Sequence, residues 1–299
     1  MKLEIKNITK NFNNKTAVHN FSMEVQAGEC VGLIGPNGAG KSTLIKIISD
    51  IIHPSSGAVF LNGKKITDMK KEIGYLPQYP NFFPWMTAFE TLMFMGELTG
   101  MKKEALKKEI PLLLTKVGLK EDSNARVRTF SGGMKQRLGI AQALLHKPSL
   151  IVMDEPVSSL DPIGRREVIN IIQAIKKDTT ILLSTHILND AEDICERFVI
   201  IKDGQKIEDT KKEALLNKHS RNSILMEITS ASLSWLEIVK GLDYVKAAEA
   251  VGTTVKIEVD NILVNKNMLL ASALENNVDI LKFEIDNDTL EEIFLKLVV

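Results

Sequence analysis

Three short segments of the 299-residue chain carry side chains that could do chemistry together. The first is GPNGAGKST, from Gly35 to Thr43, with glycine again at Gly38 and Gly40 and with Asn37 and Ala39 between them. Glycines let a backbone wrap closely round an anion, so that successive N–H groups point inward, and a helix starting directly afterwards adds positive potential. The spacing matches G-x-x-x-x-G-K-[ST]. That pattern predicts a phosphate cradle in which Lys41 reaches the β- and γ-phosphates of a nucleoside triphosphate and Ser42 ligates Mg²⁺.

The second segment is LIVMDE, Leu150 to Glu155, four apolar residues followed by two carboxylates. Downstream of a phosphate loop, Asp154 is placed to hold Mg²⁺ through water and Glu155 to orient and deprotonate an attacking water. A general base of this kind contributes about 10²–10⁴ in rate. On its own an apolar strand ending in Asp-Glu is weak evidence. The third segment, Ser131, Gly132 and Gly133, opens a helix with a hydroxyl, a flexible backbone and exposed N–H donors, which is a second anion nest. Taken alone, it reads better as a serine N-cap with turn glycines.

The elements that must position these groups follow from periodicity. The first 60 residues read as short strands, and Leu3/Ile5 and Met23/Val25 alternate with polar neighbours as half-buried antiparallel strands do. CVGLIG is apolar without alternation and leads into the glycine loop. Leu44, Ile47, Ile48 and Ile51 then fall on one helix face. Asn62-Gly63 marks a hairpin, and 73–77 a further strand. Residues from about 87 to 146 are mostly helical, and 150–153, 179–184 and 197–201 are buried strands between helices. Strands alternating with helices predict a parallel sheet in an α/β domain. A polar, basic stretch near 210–222 marks a boundary. Beyond it the pattern reads strand (Ile224–Ile228), helix (231–240), strand (243–251), strand (Thr254–Val259), helix (266–276), strand (279–285) and a last helix (288–297). That order suits a ferredoxin-like unit.

Composition narrows the partners. Formal net charge is zero, so no global basic field argues for nucleic acid. No apolar run approaches the roughly 18–20 residues that span a bilayer. The N-terminus, MKLEIKNITK, reads as a cytosolic strand rather than an export signal. A membrane role would therefore need a separate partner chain. Cys30 and Cys195, far apart in sequence, read as two reduced, buried thiols.

The phosphate loop, the Ser131 segment, LIVMDEP, SSLDP (158–162) and STH (184–186), in this order, resemble an ABC ATPase over residues 1 to about 210. The resemblance implies an α/β fold of the ABC-type P-loop NTPase class, a mixed sheet with an antiparallel β subdomain and a helical subdomain, spanning 1–215. A small C-terminal α+β domain, 216–299, would follow it. The resemblance further implies that Phe12 stacks on adenine (its alternative is an ordinary core Phe) and that Gln78 senses Mg²⁺ and the γ-phosphate. Asp161 would cross a dimer interface, and His186 would contact the γ-phosphate and position the water. Ligands would be ATP and Mg²⁺. ABC ATPases work as head-to-tail dimers, so Ser131–Gly133 of one subunit would complete the site around Lys41 of a second copy or paralogue. Phe130 and Met134 depart from the usual Leu and Gln without removing the serine hydroxyl or the glycine donors.

The interval from Lys41 to Ser131 has no room for the long coiled coils of chromosome-maintenance relatives, and one cassette is present where translation-type relatives carry two. Asp288 and Glu291 read as a capping pair on an amphipathic C-terminal helix. Its sequence resembles the LEEVFL-like tail of ATPases that serve ABC-2-type permeases, a group rich in exporters. Phe82, Phe83, Trp85 and Met86 suit a docking groove for a permease helix, or subdomain core packing. The resemblance thus implies a cytoplasmic subunit held peripherally at the membrane by its permease. An importer ATPase and an ATP-driven regulatory role are the alternatives.

Overall fold

The alternating residues at the N-terminus build β1 (Lys2–Phe12) and β2 (Lys15–Gln26) in the computed structural model, which describes residues 1–13, 15–218, 222–286 and 289–298. At 11 and 12 residues these strands exceed the short ones expected, because each carries inward residues over much of its length. The non-alternating run becomes β3 (Cys30–Ile34), buried at every position, and leads through the glycine loop into α1 (Lys41–Ile48). The hairpin between β4 (Ser56–Leu61) and β5 (Lys64–Lys65) turns on Asn62 and Gly63, at φ 53° and 75°. β6 (Ile73–Leu76) precedes the helical stretch of α2 (Ala88–Leu98), α3 (Lys103–Lys116) and α4 (Gly132–Leu144).

β7 (Leu150–Asp154), α5 (Pro162–Ile175), β8 (Thr180–Thr185), α6 (Leu188–Ile194) and β9 (Arg197–Lys202) continue the strand–helix alternation. β10 (Gln205–Lys211) was not expected, since its sequence QKIEDTK lacks a readable apolar face. It pairs antiparallel with β9 at the sheet edge, and its backbone pairing rather than side-chain burial defines it.

One sheet has the order β10-β9-β3-β8-β7-β6, parallel from β9 to β6. A second, antiparallel sheet has the order β2-β1-β4-β5. Leu3, Ile5, Phe21 and Met23 of the second sheet share one core with Val31 and Leu33 of β3, Val152 of β7 and Leu44 and Ile48 of α1. The phosphate loop is therefore clamped between an antiparallel sheet and a parallel one. Register within the parallel sheet sets Ile34 against Thr185 and Asp154 against Ser184. The carboxyl ends of β3, β7 and β8 finish at one level, where open α/β sheets bind ligands.

Contacts divide the chain into two units, Met1–Lys212 and Glu213–Leu297, with α7 (Lys212–Lys218) spanning the change. In the second unit β11 (Ser223–Ile228), α8 (Trp235–Lys240), β12 (Val245–Val251), β13 (Thr254–Val259), α9 (Ile262–Glu275) and β14 (Ile280–Asp286) form a sheet of order β12-β13-β11-β14. All its pairs are antiparallel, which is the ferredoxin-like arrangement. Trp235, Val239, Leu269 and Ala273 close its core over Ile224, Met226 and Ile257. α9 starts earlier than the expected 266 because Asn261 caps it by accepting from Leu263 N. α10 (Leu290–Val298) ends the chain. Asp288 lies outside the described residues. Reciprocal capping is made one position later than expected, by Thr289 and Glu292, while Glu291 is exposed.

Leu269 is fully buried against the same core as Trp235. Leu269→Ala should destabilise this unit by about 2–5 kcal/mol. Denaturation of a Trp85→Phe background, followed by Trp235 fluorescence, checks this, and an unshifted midpoint would contradict the assigned core.

Candidate functional site

The glycine loop is shaped by two close approaches. A Cβ on Gly35 would stand 2.3 Å from Ile201 O, and one on Gly40 would stand 2.4 Å from Ala17 O, with Gly40 at φ +104°. Only glycine tolerates that conformation and that contact. Gly40 is the N-cap of α1, so the first-turn N–H groups of Lys41, Ser42 and Thr43 lie at the positive end of the helix.

A cavity of about 450 Å³ opens over this turn. Asn37, Gly38, Gly40, Lys41, Ser42 and Thr43 line its floor, and Gln78, Glu155 and His186 line a wall. Phe12 stands on another side, 47% exposed, with Lys10 Nζ 5.0 Å from its ring centroid. The core-Phe alternative is thereby removed. Gly35 and Ala39 do not line the cavity: Gly35 shapes the loop from beneath, and Ala39 packs into the core.

Lys41 is almost completely buried, and its Nζ donates to Gly35 O (2.8 Å) and Pro36 O (3.0 Å). It also lies 3.8 Å from Glu155 Oε1. Burial pushes the ammonium pKa below its ordinary value, while Glu155 and Asp154 pull it the other way. The other Glu155 oxygen, Oε2, is 2.8 Å from His186 Nδ1. Glu155 has φ 46°, a left-handed conformation costing a non-glycine residue about 1–3 kcal/mol. With the backbone in this conformation the carboxylate lies between Lys41 and His186.

Asp154, at the tip of β7, is 97% buried as a residue of 3% exposure, and its Oδ1 accepts from Ser42 Oγ (3.0 Å) and Ser184 Oγ (2.7 Å). Burial, and then the nearby Asp154 charge, push the Tyr75 phenol up to about 12, so that it stays neutral. Hard oxygen donors from Ser42 and Asp154 meet beside a phosphate cradle, a donor set that suits Mg²⁺ held largely by substrate oxygens. Gln78 Nε2 donates to Ser158 Oγ at 3.2 Å, which joins this wall of the cavity to the SSLDP turn.

Ser131, Gly132, Gly133 and Asp161 are not among the residues lining this cavity. They lie beside one another instead. Ser131 caps α4 by accepting from Met134 N, and Asp161 caps α5 by accepting from Ile163 N and Gly164 N. A Cβ on Gly133 would stand 3.5 Å from Gly164 Cα, so the two helix starts are packed together. Phe130 is buried under the turn and leaves the Ser131 surface open.

Phe83 and Trp85 are exposed, while Phe82 and Met86 are only half-exposed, so the expected apolar surface is smaller than the sequence suggested. Tyr79 is exposed as well, at 61%. Sequence reasoning also passed over Lys15 and Ala17, which line the cavity from a polar strand, and the Ser184 hydroxyl.

Residues 18–158 match the family model described as ABC transporter, and residues 211–298 match the C-terminal domain described as ATP-binding protein DrrA1-3-like. An uncharacterized ABC transporter ATP-binding protein, YxlF of Bacillus subtilis strain 168, is 40% identical over 299 residues, 99% of each chain. The chain belongs to the ABC transporter ATP-binding proteins. The linearmycin resistance ATP-binding protein LnrL of the same organism is 33% identical, covering 99% of this chain and 97% of its own. Among solved structures, the dimeric, post-hydrolysis state of an ATP-binding cassette bound to ADP and Pi matches with a TM-score of 0.63 at 28% identity. That match covers 70% of this chain and 98% of the other. As an ABC transporter ATP-binding subunit, the chain binds and hydrolyses ATP.

Gly40→Ala must push α1 off Ala17 O in this ATP-binding subunit. Affinity for a fluorescent ATP analogue should fall by about tenfold or more, equivalent to about 1.4 kcal/mol. Unchanged affinity would mean that the loop accommodates the side chain.

Proposed function

We propose that this subunit works as a head-to-tail dimer, with Ser131–Gly133 and Asp161 of one protomer completing the nucleotide site around Lys41 of the other. The observation that carries this reading is that the two anion-binding turns exist in one chain but only one of them lines the cavity. The dimeric state of a solved relative supports it. In such a dimer ATP is held by both subunits, so association depends on ligand and is lost on hydrolysis.

Within the site, Lys41 exchanges Gly35 O and Pro36 O for the β- and γ-phosphates, and Phe12 stacks on the adenine. Lys41 then leaves Glu155, whose Oε1 becomes available to a water as general base while Oε2 keeps its contact with His186. His186, 38% exposed at its side chain, faces the position of the γ-phosphate and fixes the water. Ser42, Asp154 and Gln78 would hold Mg²⁺, which neutralises phosphate charge when bound. Asn37, Gly38 and Thr43 complete the cradle through their backbone, while Ala39 braces the loop by donating its N–H to Pro36 O at 3.2 Å.

The dimer drives a separate membrane permease of ABC-2 type, and the transporter exports its cargo. Among the described residues no helix is long and apolar enough to cross a membrane. Exposed Tyr79, within hydrogen-bond distance of Gln78, and the exposed, mutually packed Phe83 and Trp85 offer the permease apolar contacts. The relative named for linearmycin resistance, aligned over nearly the whole chain, supports the export reading. On this reading the subunit works at the cytoplasmic face of the membrane, held there by the permease, with the cassette at 1–215 and an accessory domain at 216–299.

Glu155→Gln should keep ATP binding, slow turnover by about 10²–10⁴ and accumulate an ATP-bound dimer, read by light scattering after gel filtration. Normal hydrolysis would remove Glu155 from the role of base. Ser131→Arg should leave nucleotide binding to the single subunit intact and prevent that dimer. A tight ATP-bound dimer of this variant would contradict the shared site.

A further inference from the structure

Ser184 is the penultimate residue of β8 and is completely buried, two residues before His186. Its hydroxyl does two things at once. It donates to Asp154 Oδ1 at 2.7 Å, and it accepts from Glu155 N at 3.1 Å. The Ser184 carbonyl accepts from the same Glu155 N–H, also at 3.1 Å. One residue thus ties the side chain of one carboxylate to the backbone of the next.

The two ties differ in what they fix. Asp154 Oδ1 is shared between Ser184 and Ser42. If Ser42 offers a lone pair of its oxygen to a cation, as proposed above, its hydrogen bond to Asp154 must adjust to the cation's position. Ser184, on a different strand and out of reach of solvent, can keep its own. The Asp154 carboxylate then retains one fixed orientation in both states. The second tie acts on Glu155, which sits at φ 46° immediately after the strand. Its amide is held by two acceptors on Ser184, so the left-handed turn that sends the carboxylate toward His186 is anchored at its start. Thr185 continues the pattern, accepting from Ile187 N at 3.0 Å and so shaping the turn that presents His186. Parallel register places Asp154 directly beside Ser184, which makes this geometry a product of the sheet itself.

We infer that Ser184 is a positioning residue for ATP hydrolysis, one hydroxyl aligning the metal-holding Asp154 with the water-activating Glu155. The inference rests on the roles proposed above for those two carboxylates. Residues behind a metal ligand that orient it typically change metal affinity or activity by about 10–100-fold when removed.

The test compares Ser184→Ala with Ser184→Cys, which fills the same space but donates only weakly. Both variants should lose kcat, measured at saturating ATP and Mg²⁺, by about 10-fold or more. The second readout is nucleotide binding without turnover: the gain in affinity for a fluorescent ATP analogue on adding Mg²⁺, relative to EDTA, should shrink in both. Wild-type kcat and a wild-type Mg²⁺ gain in both variants would overturn the inference. So would loss in the alanine variant alone, because the side chain would then matter only for its volume. If the alanine variant does not fold, the cysteine variant decides by the same two readouts. Glu155→Gln assayed in parallel separates the two levels: normal turnover there defeats the proposed roles of the carboxylates. A Glu155→Gln defect beside normal Ser184 variants defeats only this inference.

Discussion

The registered parallel ladder of β3, β8 and β7 is the constraint on which the site depends. Ile34 opposite Thr185, and Asp154 opposite Ser184, bring three strand ends to a common edge. One end feeds the glycine loop, the next supplies Asp154 and Glu155, and the third supplies Ser184 and His186. Each strand is buried along its whole length, so a slip in register would carry apolar side chains out of a filled core. The chemistry is therefore positioned by hydrophobic packing well below it. Gly35 against Ile201 O and Gly40 against Ala17 O then bring the loop down onto that edge from both sheets.

At the edge, charge is balanced locally. Lys41, Glu155 and His186 form one chain of contacts, and Ser42, Asp154 and Ser184 form another. The net charge of the protein is zero, and the anion site arises from aligned backbone dipoles and one buried ammonium instead. A phosphate that displaces Glu155 from Lys41 changes both the occupancy of the cradle and the availability of the base. Contacts also run outward. Gln78 reaches Ser158 and Tyr79 approaches Ser159, and the following turn carries Asp161 and packs Gly164 on Gly133. These contacts lead from the cavity to the Ser131 turn.

Much of this was legible in the residues because the demands are local. GPNGAGKST can hardly be read otherwise once an apolar strand precedes it, and the ferredoxin-like unit follows from alternation and turn spacing. The features that escaped depend on long-range placement. β10 has a polar face on each side and exists through its pairing with β9. Cys30 and Cys195 are both buried and free as expected, yet their Sγ atoms stand 3.9 Å apart, a proximity created by packing between distant parts of the chain. Phe12 could be core or exposed by pattern alone, and only the position of β1 beside the cavity decides. Ser184 looks like an ordinary strand serine until the register sets it beside Asp154.

The shared site is tested most directly by mixing two disabled chains, one carrying Lys41→Ala and the other Ser131→Arg. Neither should form an ATP-bound dimer with itself. In the mixed dimer, the intact loop of the Ser131→Arg chain faces the intact Ser131 turn of the Lys41→Ala chain, so one whole site is restored. ATP-dependent association of the mixture, measured between differently labelled chains, is the predicted result. No association in the mixture, with each variant folded, would contradict a nucleotide site built from two subunits.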